Sequence, residues 1–337
     1  MSRGVALTGA LLITLATPAT WPLALAAFLL RGGILLVTLP IVVLPTPVGL
    51  GNVVAPTLTA IALGAVPGVA VAAAAAAVVV ALGWLLVAGW LAAALEAEGA
   101  RIVSRDDDMT AYRSGDPALG GSVGLASVSD TRVGARILVA RLIAYLPLTL
   151  VLAVGSIRLV YVTYAELTLP SDVATSIVLR VIRASPEVTV AVLLAWMAGE
   201  IIGAVAARRI ALAGETVAAA LRAAVLTSIR HPLAALARFW LPTIALLVVL
   251  APAALAAATA WAAVGAILEE RADALSIVAA VVLFVVLWVV GLLLTAVVCA
   301  WRAAVWTVAD VNGRGTFGGS SDRRQGHWRT DPSSANL

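Results

Sequence analysis

The stretch PLALAAFLLRGGILLVTLPIVVL, Pro22 to Leu44, is long and apolar enough to cross a bilayer, yet Arg31-Gly32-Gly33 lies at its centre. About 20 apolar residues span the roughly 30 Å of hydrocarbon in a membrane. An arginine at mid-membrane costs about 2.5 to 3.5 kcal/mol on insertion scales, so such a residue normally pairs or faces protein or water. Arg31 is therefore the first candidate for a functional role.

The rest of the chain shares this apolar character. Of its 337 residues, 62% are hydrophobic and 12% are charged, and the mean hydropathy is +1.07. These values lie outside the ordinary range of soluble domains. Alternating segments of about ten residues, which are typical of a membrane barrel, are absent from the sequence. The sequence therefore predicts an all-α integral membrane protein.

Six transmembrane spans are predicted, each a run of nearly uncharged residues. They lie near residues 22–44, 66–95, 137–162, 187–207, 236–261 and 275–300. The longest polar stretch, residues 96–136, is expected to form a solvated cytoplasmic loop. Residues 312–337 are rich in Gly, Ser and Arg and are expected to form a disordered basic tail. The membrane domain is thus predicted to cover residues 1–311.

Three shorter segments combine apolar residues with a following proline break and are predicted to lie at the membrane surface as amphipathic helices. They are residues 1–16, 173–184 and 215–230. The N-terminal residues 1–17 also imitate a secretory signal peptide, so interfacial, spanning and cleaved states all remain open for them.

Charge placement predicts the orientation of the spans. All 22 basic residues are arginine, which is typical of a GC-rich bacterial genome and excludes the lysine-dependent phosphate-binding loop. Short cytoplasmic loops are enriched in basic residues. With both termini inside, Arg31 lies in the bilayer, 17 arginines lie inside, and the four outside are Arg158, Arg180, Arg183 and Arg271. We therefore expect a bacterial inner-membrane protein with cytoplasmic N- and C-termini.

The arrangement of surface helix, proline and span is clearest in TSIRHPLAALARFWLPTIALLVVL, Thr227 to Leu250. It resembles the membrane domain of glycerophosphodiester phosphodiesterases and related multi-pass families of bacteria. The resemblance covers the architecture and includes no catalytic motif, and the chain has no room for the soluble barrel of that family. It implies a multi-pass bacterial membrane protein and transfers no catalytic residue.

The fourth span carries a stripe of small residues at four-residue spacing, a pattern that lets membrane helices pack closely. The stripe consists of Ala195, Gly199, Gly203 and Ala207. Glu200 lies beside it, at a depth of about 12 Å from the inner surface, and Arg31 lies at about 13 Å. We therefore hypothesise that Arg31 and Glu200 form a buried ion pair or a ligand site, with Arg141 as a competing partner for Glu200.

No catalytic, metal or cofactor site is predicted. The run Asp106 to Asp108 is interpreted as a solvated charge run, because a metal site would need a second ligand cluster. His231, which precedes Pro232, is interpreted as an interfacial cap. Neither a G-x-S-x-G nor an H-E-x-x-H motif is present, so hydrolytic chemistry has little support.

The leading interpretation is a non-catalytic scaffold or accessory protein that binds membrane lipids or another membrane protein. A transporter or permease subunit is the second interpretation, with a cytoplasmic subunit docking on residues 215–230. A membrane-embedded enzyme that modifies lipid is the third. No nucleic-acid partner is predicted.

Overall fold

The computed structural model describes residues 3–38, 60, 64–65, 68–113, 131–169, 171–172, 175, 177–269 and 274–322. Every regular element in these residues is a helix, which confirms the predicted all-α architecture. Within the same residues, six helices are long and apolar enough to cross a membrane. The protein is thus an all-α, multi-pass integral membrane protein.

The helices have the following bounds in chain order: α1 (Arg3–Ala16), α2 (Thr20–Phe28), a π-helical segment (Leu29–Gly33), α3 (Ile34–Thr38), α4 (Gly68–Arg113), α5 (Thr131–Ala144), α6 (Leu146–Thr168), α7 (Ile177–Ala184), α8 (Pro186–Ala213), α9 (Val217–Arg230), α10 (Pro232–Glu269) and α11 (Ala274–Asp322). The first span candidate runs from α2 through α3, and the other five lie on α4, α6, α8, α10 and α11. The short helices α1, α7 and α9 correspond to the three predicted surface segments.

Prolines and one glycine set several of these boundaries. The predicted third span, 137–162, starts earlier than the helix that the structure shows. The helix is interrupted at Tyr145, and α6 starts at Leu146 with Pro147 in its first turn. Proline has no backbone N–H and its ring clashes with the preceding turn, so it favours a helix start over a helix interior. Arg141 consequently lies on α5, before the span. Helix α8 ends at Gly214, whose φ of 67° is the left-handed conformation common at helix C-termini.

Two predicted polar segments are partly helical. Residues 96–136 were expected to form a loop, but α4 continues through them to Arg113. Ala, Glu and Arg, which are frequent here, are good helix formers, so the fall in hydropathy after Leu95 does not coincide with the end of the helix. Likewise, α11 continues past the predicted start of the tail at residue 312 and ends at Asp322. The predicted end of the first span, beyond Thr38, and residues 323–337 lie outside the described residues.

The chain divides into two compact units. The first comprises Met1–Thr17, Ala97–Leu241 and Trp301–Leu337. Helix α8 is its central element and packs against α5, α6 and α9. One of its apolar clusters surrounds the fully buried ring of Phe239 and includes Trp306. These contacts position the charged residues of α8 and α11.

The second unit comprises Pro18–Glu96 and Pro242–Ala300. Its parts of α10 and α11 approach closely at Gly291, where an added Cβ would come within 2.9 Å of the Cβ of Ala253. The rings of Trp261 and Phe284 extend the same contact, with centroids 5.1 Å apart. Small residues at one level and aromatic rings at another thus hold these two spans together.

Candidate functional site

Arg31 lies where the first span is broken. Its backbone (φ −83°, ψ 15°) and that of Gly32 (φ 101°, ψ −4°) leave the helical region, and the π-helical segment joins α2 to α3 across this kink. Residues with a Cβ rarely adopt the positive φ of Gly32, which explains the glycine at that position. Helix distortions of this type occur frequently at functional sites.

The guanidinium of Arg31 forms an ion pair with the carboxylate of Glu96 on α4, and both residues belong to the second unit. The side chain of Glu96 is 7% exposed and that of Arg31 is 32% exposed. The carboxylate is therefore the more deeply buried member, and it depends more on its partner. Glu96 is not predicted as a site residue from the sequence, because the apolar run ends at Leu95 and the polar stretch that begins at Glu96 is typical of a loop.

Glu200 lies on α8 in the first unit and contacts Arg302 and Tyr145. One carboxylate oxygen is 2.6 Å from the guanidinium of Arg302 on α11. The other accepts a hydrogen bond from the hydroxyl of Tyr145, the residue between α5 and α6. One carboxylate thus connects four helices.

An aromatic ring that belongs to a cluster of three lies beside the guanidinium of Arg302. Its central carbon is 5.9 Å from the ring centroid of Phe239, which is within the range of a cation–π interaction. Trp196 and Trp240 each pack edge-on against Phe239 with centroids 5.3 Å apart. The arginine is therefore positioned by both a carboxylate and an aromatic cluster.

The hypothesis derived from sequence joined Arg31 to Glu200, whereas the structure gives each residue a counter-ion in its own unit. Arg31 pairs with Glu96 and Glu200 pairs with Arg302. Arg31 and Glu200 were paired because they lie at similar depths along their spans and carry opposite charges. Depth does not indicate which helices are neighbours. Arg302 was missed because it follows the predicted end of the sixth span by two residues.

Arg141, the competing partner in that hypothesis, lies buried beside the small-residue stripe of α8. A Cβ added to Gly203 would lie 3.5 Å from both Cγ and Nη1 of Arg141. A Cβ on Gly199 would lie 2.8 Å from the ring of Tyr145. The two other stripe residues, Ala195 and Ala207, are also buried. The missing side chains of the glycines thus leave space for Arg141 and Tyr145 against α8.

A second group of charges surrounds the C-terminus of α8. Arg209 lies 3.2 Å from Glu215 and 3.8 Å from Asp310. Arg136 donates to the backbone carbonyl of Gly214 at 3.0 Å and to that of Glu215. Cations near the last carbonyls of a helix are stabilised by its dipole. These contacts hold the turn between α8 and α9 against α5 and α11.

The remaining candidates from the sequence are His231 and the run Asp106 to Asp108. His231 is the exposed residue between α9 and α10. Ser228, its neighbour in sequence, donates its hydroxyl to the carbonyl of Ala224 at 2.8 Å. The run Asp106 to Asp108 continues α4, and its side chains lie outside the described part of the structure. Among the described residues, no group of three or more His, Cys, Asp or Glu side chains is arranged to hold a metal ion.

Comparisons with protein-family models, with curated proteins and with solved structures gave no match for this chain.

Proposed function

We propose that this protein is a non-catalytic scaffold that binds a second membrane protein through α4. One observation carries the proposal: in the described part of the chain, every residue from Val71 to Val87 is exposed. Of the 18 consecutive residues of α4 that are most apolar, 0% are buried, compared with 33% in the corresponding segment of α8. A span of this kind offers its whole circumference to lipid or to another helix.

One side of this segment suits contact with another helix. Ala72, Ala76 and Gly83 lie within about 40° of one another around the helix axis. Small residues on one face let two membrane helices approach closely, so that their backbones pack in van der Waals contact. A Cβ added to Gly83 would meet nothing within 4 Å. The opposite side carries the bulkier Val78 and Leu85, which are suited to lipid.

The location that we propose is a bacterial inner membrane with both termini in the cytoplasm. The support is the distribution of the 22 arginines, most of which fall on one side of the six spans. The architectural resemblance to the membrane domain of glycerophosphodiester phosphodiesterases agrees with this location. It does not extend to the activity of that family.

Site-specific photo-crosslinking in membranes tests the scaffold proposal. A photoreactive amino acid is introduced singly along the two sides of α4 in the full-length protein. The proposed partner side is Ala72, Ala76, Val79 and Gly83, and the opposite side is Ala74, Val78, Ala81 and Leu85. A docked helix gives a protein adduct of one discrete mass from the first set only. A uniform yield from both sets, or lipid adducts alone, would contradict the proposal.

A matched pair of variants checks that the small residues are required. Ala76→Leu adds a bulky side chain on the proposed partner side, and we expect it to abolish the adduct formed from Gly83. Ala74→Leu makes the same change on the opposite side and should leave that adduct unchanged. An adduct of twice the mass of the chain would identify the partner as a second copy.

A transporter or permease subunit is the second candidate, and the break at Arg31 favours it. Interrupted helices with charged residues near the membrane midplane form substrate and ion sites in many transporters. The ion pair of Arg31 with Glu96 lies beside such a break, and the arginine is partly exposed.

Cysteine labelling distinguishes this candidate from a lipid-embedded kink. In a Cys299→Ala background, Ile34→Cys places a thiol one turn beyond Arg31, and Val78→Cys places a matched thiol on α4. A water-filled pathway predicts reaction of the first thiol, but not the second, with a membrane-impermeant maleimide. If neither thiol reacts, the break faces lipid or protein and the transporter candidate loses its support.

A further inference from the structure

Helix α9 has two sides of different character. Ala220 and Ala224 are fully buried on the side of α9 that packs against α8 and α5. The small side chains of these two alanines bring α9 close to its neighbours. The opposite side, which we name the α9 outer face, consists of the exposed residues Arg222, Leu226, Ile229 and Arg230.

The α9 outer face combines positive charge with exposed aliphatic surface. A surface helix that contacts only water normally presents polar side chains on its outer side. Here Leu226 and Ile229 are 42% and 70% exposed and lie between the two arginines. Arg222 and Arg230 are about 12 Å apart along the helix axis. Among the described residues, neither arginine forms an ion pair.

Several contacts fix the orientation of this face. The hydroxyl oxygen of Thr216 accepts a hydrogen bond of 3.4 Å from the backbone N–H of Ala219. This bond caps the first turn of α9. Arg136 donates to the carbonyl of Gly214, and Arg209 lies 3.2 Å from Glu215. Because the start of α9 is held in this way, its outer face is positioned before any ligand binds, which lowers the entropic cost of binding.

The position of α9 in the chain places this face at a membrane boundary. The membrane span of α10 begins at Pro232, two residues after Arg230. Leu233, in the first turn of that span, is 68% exposed and adds to the aliphatic surface. Arginines at the end of a span hold their charged groups at the level of the lipid headgroups, while their stems lie along apolar surface.

We propose that the α9 outer face binds anionic phospholipid, with Arg222 and Arg230 on the headgroup phosphates and Leu226 and Ile229 among the acyl chains. Charge complementarity selects this occupant, because two arginines that have no counter-ion in the described part of the chain match an anionic headgroup. The exposed aliphatic residues match the hydrocarbon just below it. The proposal concerns a different surface from α4, so it stands or falls independently of the scaffold proposal.

Native mass spectrometry of the full-length protein in mild detergent tests this site. The affinity for added phosphatidylglycerol is compared with the affinity for phosphatidylcholine of the same chain length. Each arginine near an anionic lipid surface contributes about fivefold to affinity, so the double variant Arg222→Gln/Arg230→Gln should bind phosphatidylglycerol about 30-fold more weakly. Its affinity for phosphatidylcholine should change little.

Two further variants separate this site from general effects. Arg158→Gln/Arg183→Gln removes the same charge from exposed positions on α6 and α7 and leaves the α9 outer face intact, so we expect a clearly smaller loss than that of Arg222→Gln/Arg230→Gln. Leu226→Ser/Ile229→Ser should weaken the binding of both lipids. The proposal is overturned if the wild-type protein shows no preference for phosphatidylglycerol, or if the two arginine variants lose affinity equally. The proposal is also overturned if a soluble protein binds the chain through Arg222 and Arg230 while the chain shows no preference for phosphatidylglycerol.

Discussion

The carboxylate of Glu200 lies 2.6 Å from the guanidinium of Arg302, although the two residues are 102 positions apart in the chain. Both side chains are largely buried, and the hydroxyl of Tyr145 completes the contact. Phe239 covers the arginine from another side. This cluster links helices that are distant in sequence, so its disruption should be measurable as a loss of stability.

We expect Glu200→Ala and Arg302→Ala each to lower the free energy of unfolding by about 2 to 4 kcal/mol, because each leaves a charge without its partner in a partly buried place. The double variant should cost clearly less than the sum of the two losses. Unfolding of the purified protein in mixed detergent micelles, titrated with a denaturing detergent, measures these values.

As a control, Arg158→Ala removes an exposed ion pair with Glu187 and should cost less than about 1 kcal/mol. Additive losses for Glu200 and Arg302 would show that the two residues are not coupled.

For the pair in the second unit, we expect Arg31→Met to destabilise the protein by about 3 kcal/mol, because the buried carboxylate of Glu96 loses its counter-ion. The double variant Arg31→Met/Glu96→Met should recover to within about 1 kcal/mol of the wild-type protein, since apolar residues suit this environment. The same unfolding titration measures both. If the double variant is as unstable as the single one, the charge of Glu96 is not the cause.

Gly199→Ala should reduce stability by about 1 to 3 kcal/mol. The added Cβ would lie 2.8 Å from Cδ1 of Tyr145 and 3.2 Å from the carbonyl oxygen of Ala144. The tyrosine would have to move away from Glu200, which weakens their hydrogen bond. Gly265→Ala is the matched control in another helix interior, where an added Cβ meets nothing within 4 Å. That change should stabilise the protein by about 0.5 to 1 kcal/mol, and a loss as large as that of Gly199→Ala would argue against the packing explanation.

At the break in the first span, Gly32→Ala and Gly33→Ala should both be destabilising, but for different reasons. Gly32→Ala forces an alanine to φ 101°, which costs about 1 to 2 kcal/mol. Gly33→Ala places a Cβ in steric conflict with the ring of Phe28. Combining each change with Phe28→Ala separates the two effects. In that background, most of the stability lost through Gly33→Ala should be recovered, whereas the stability lost through Gly32→Ala should not. Equal recovery for both changes would contradict this interpretation.

Much of the architecture was predictable because membrane insertion depends on local properties. A run of about 20 apolar residues is necessary and nearly sufficient for a span, so the six spans followed from length and hydropathy. The small residues around Gly199 and Gly203 were recognised from their four-residue spacing alone. By contrast, Glu96 and Arg302 were not predicted as site residues, because each lies just beyond the predicted end of a span and hydropathy does not indicate which helices lie beside it.

The sequence by itself determined the helical class of this protein and its six candidate spans, because both depend on residues that are close together in the chain. Only the tertiary structure decided which charges pair. Arg31 and Glu200 are similar in depth and opposite in charge, yet each has a counter-ion on a helix that hydropathy does not place beside it. The pairing energy depends on distances of a few ångströms between side chains, and helix packing sets these distances.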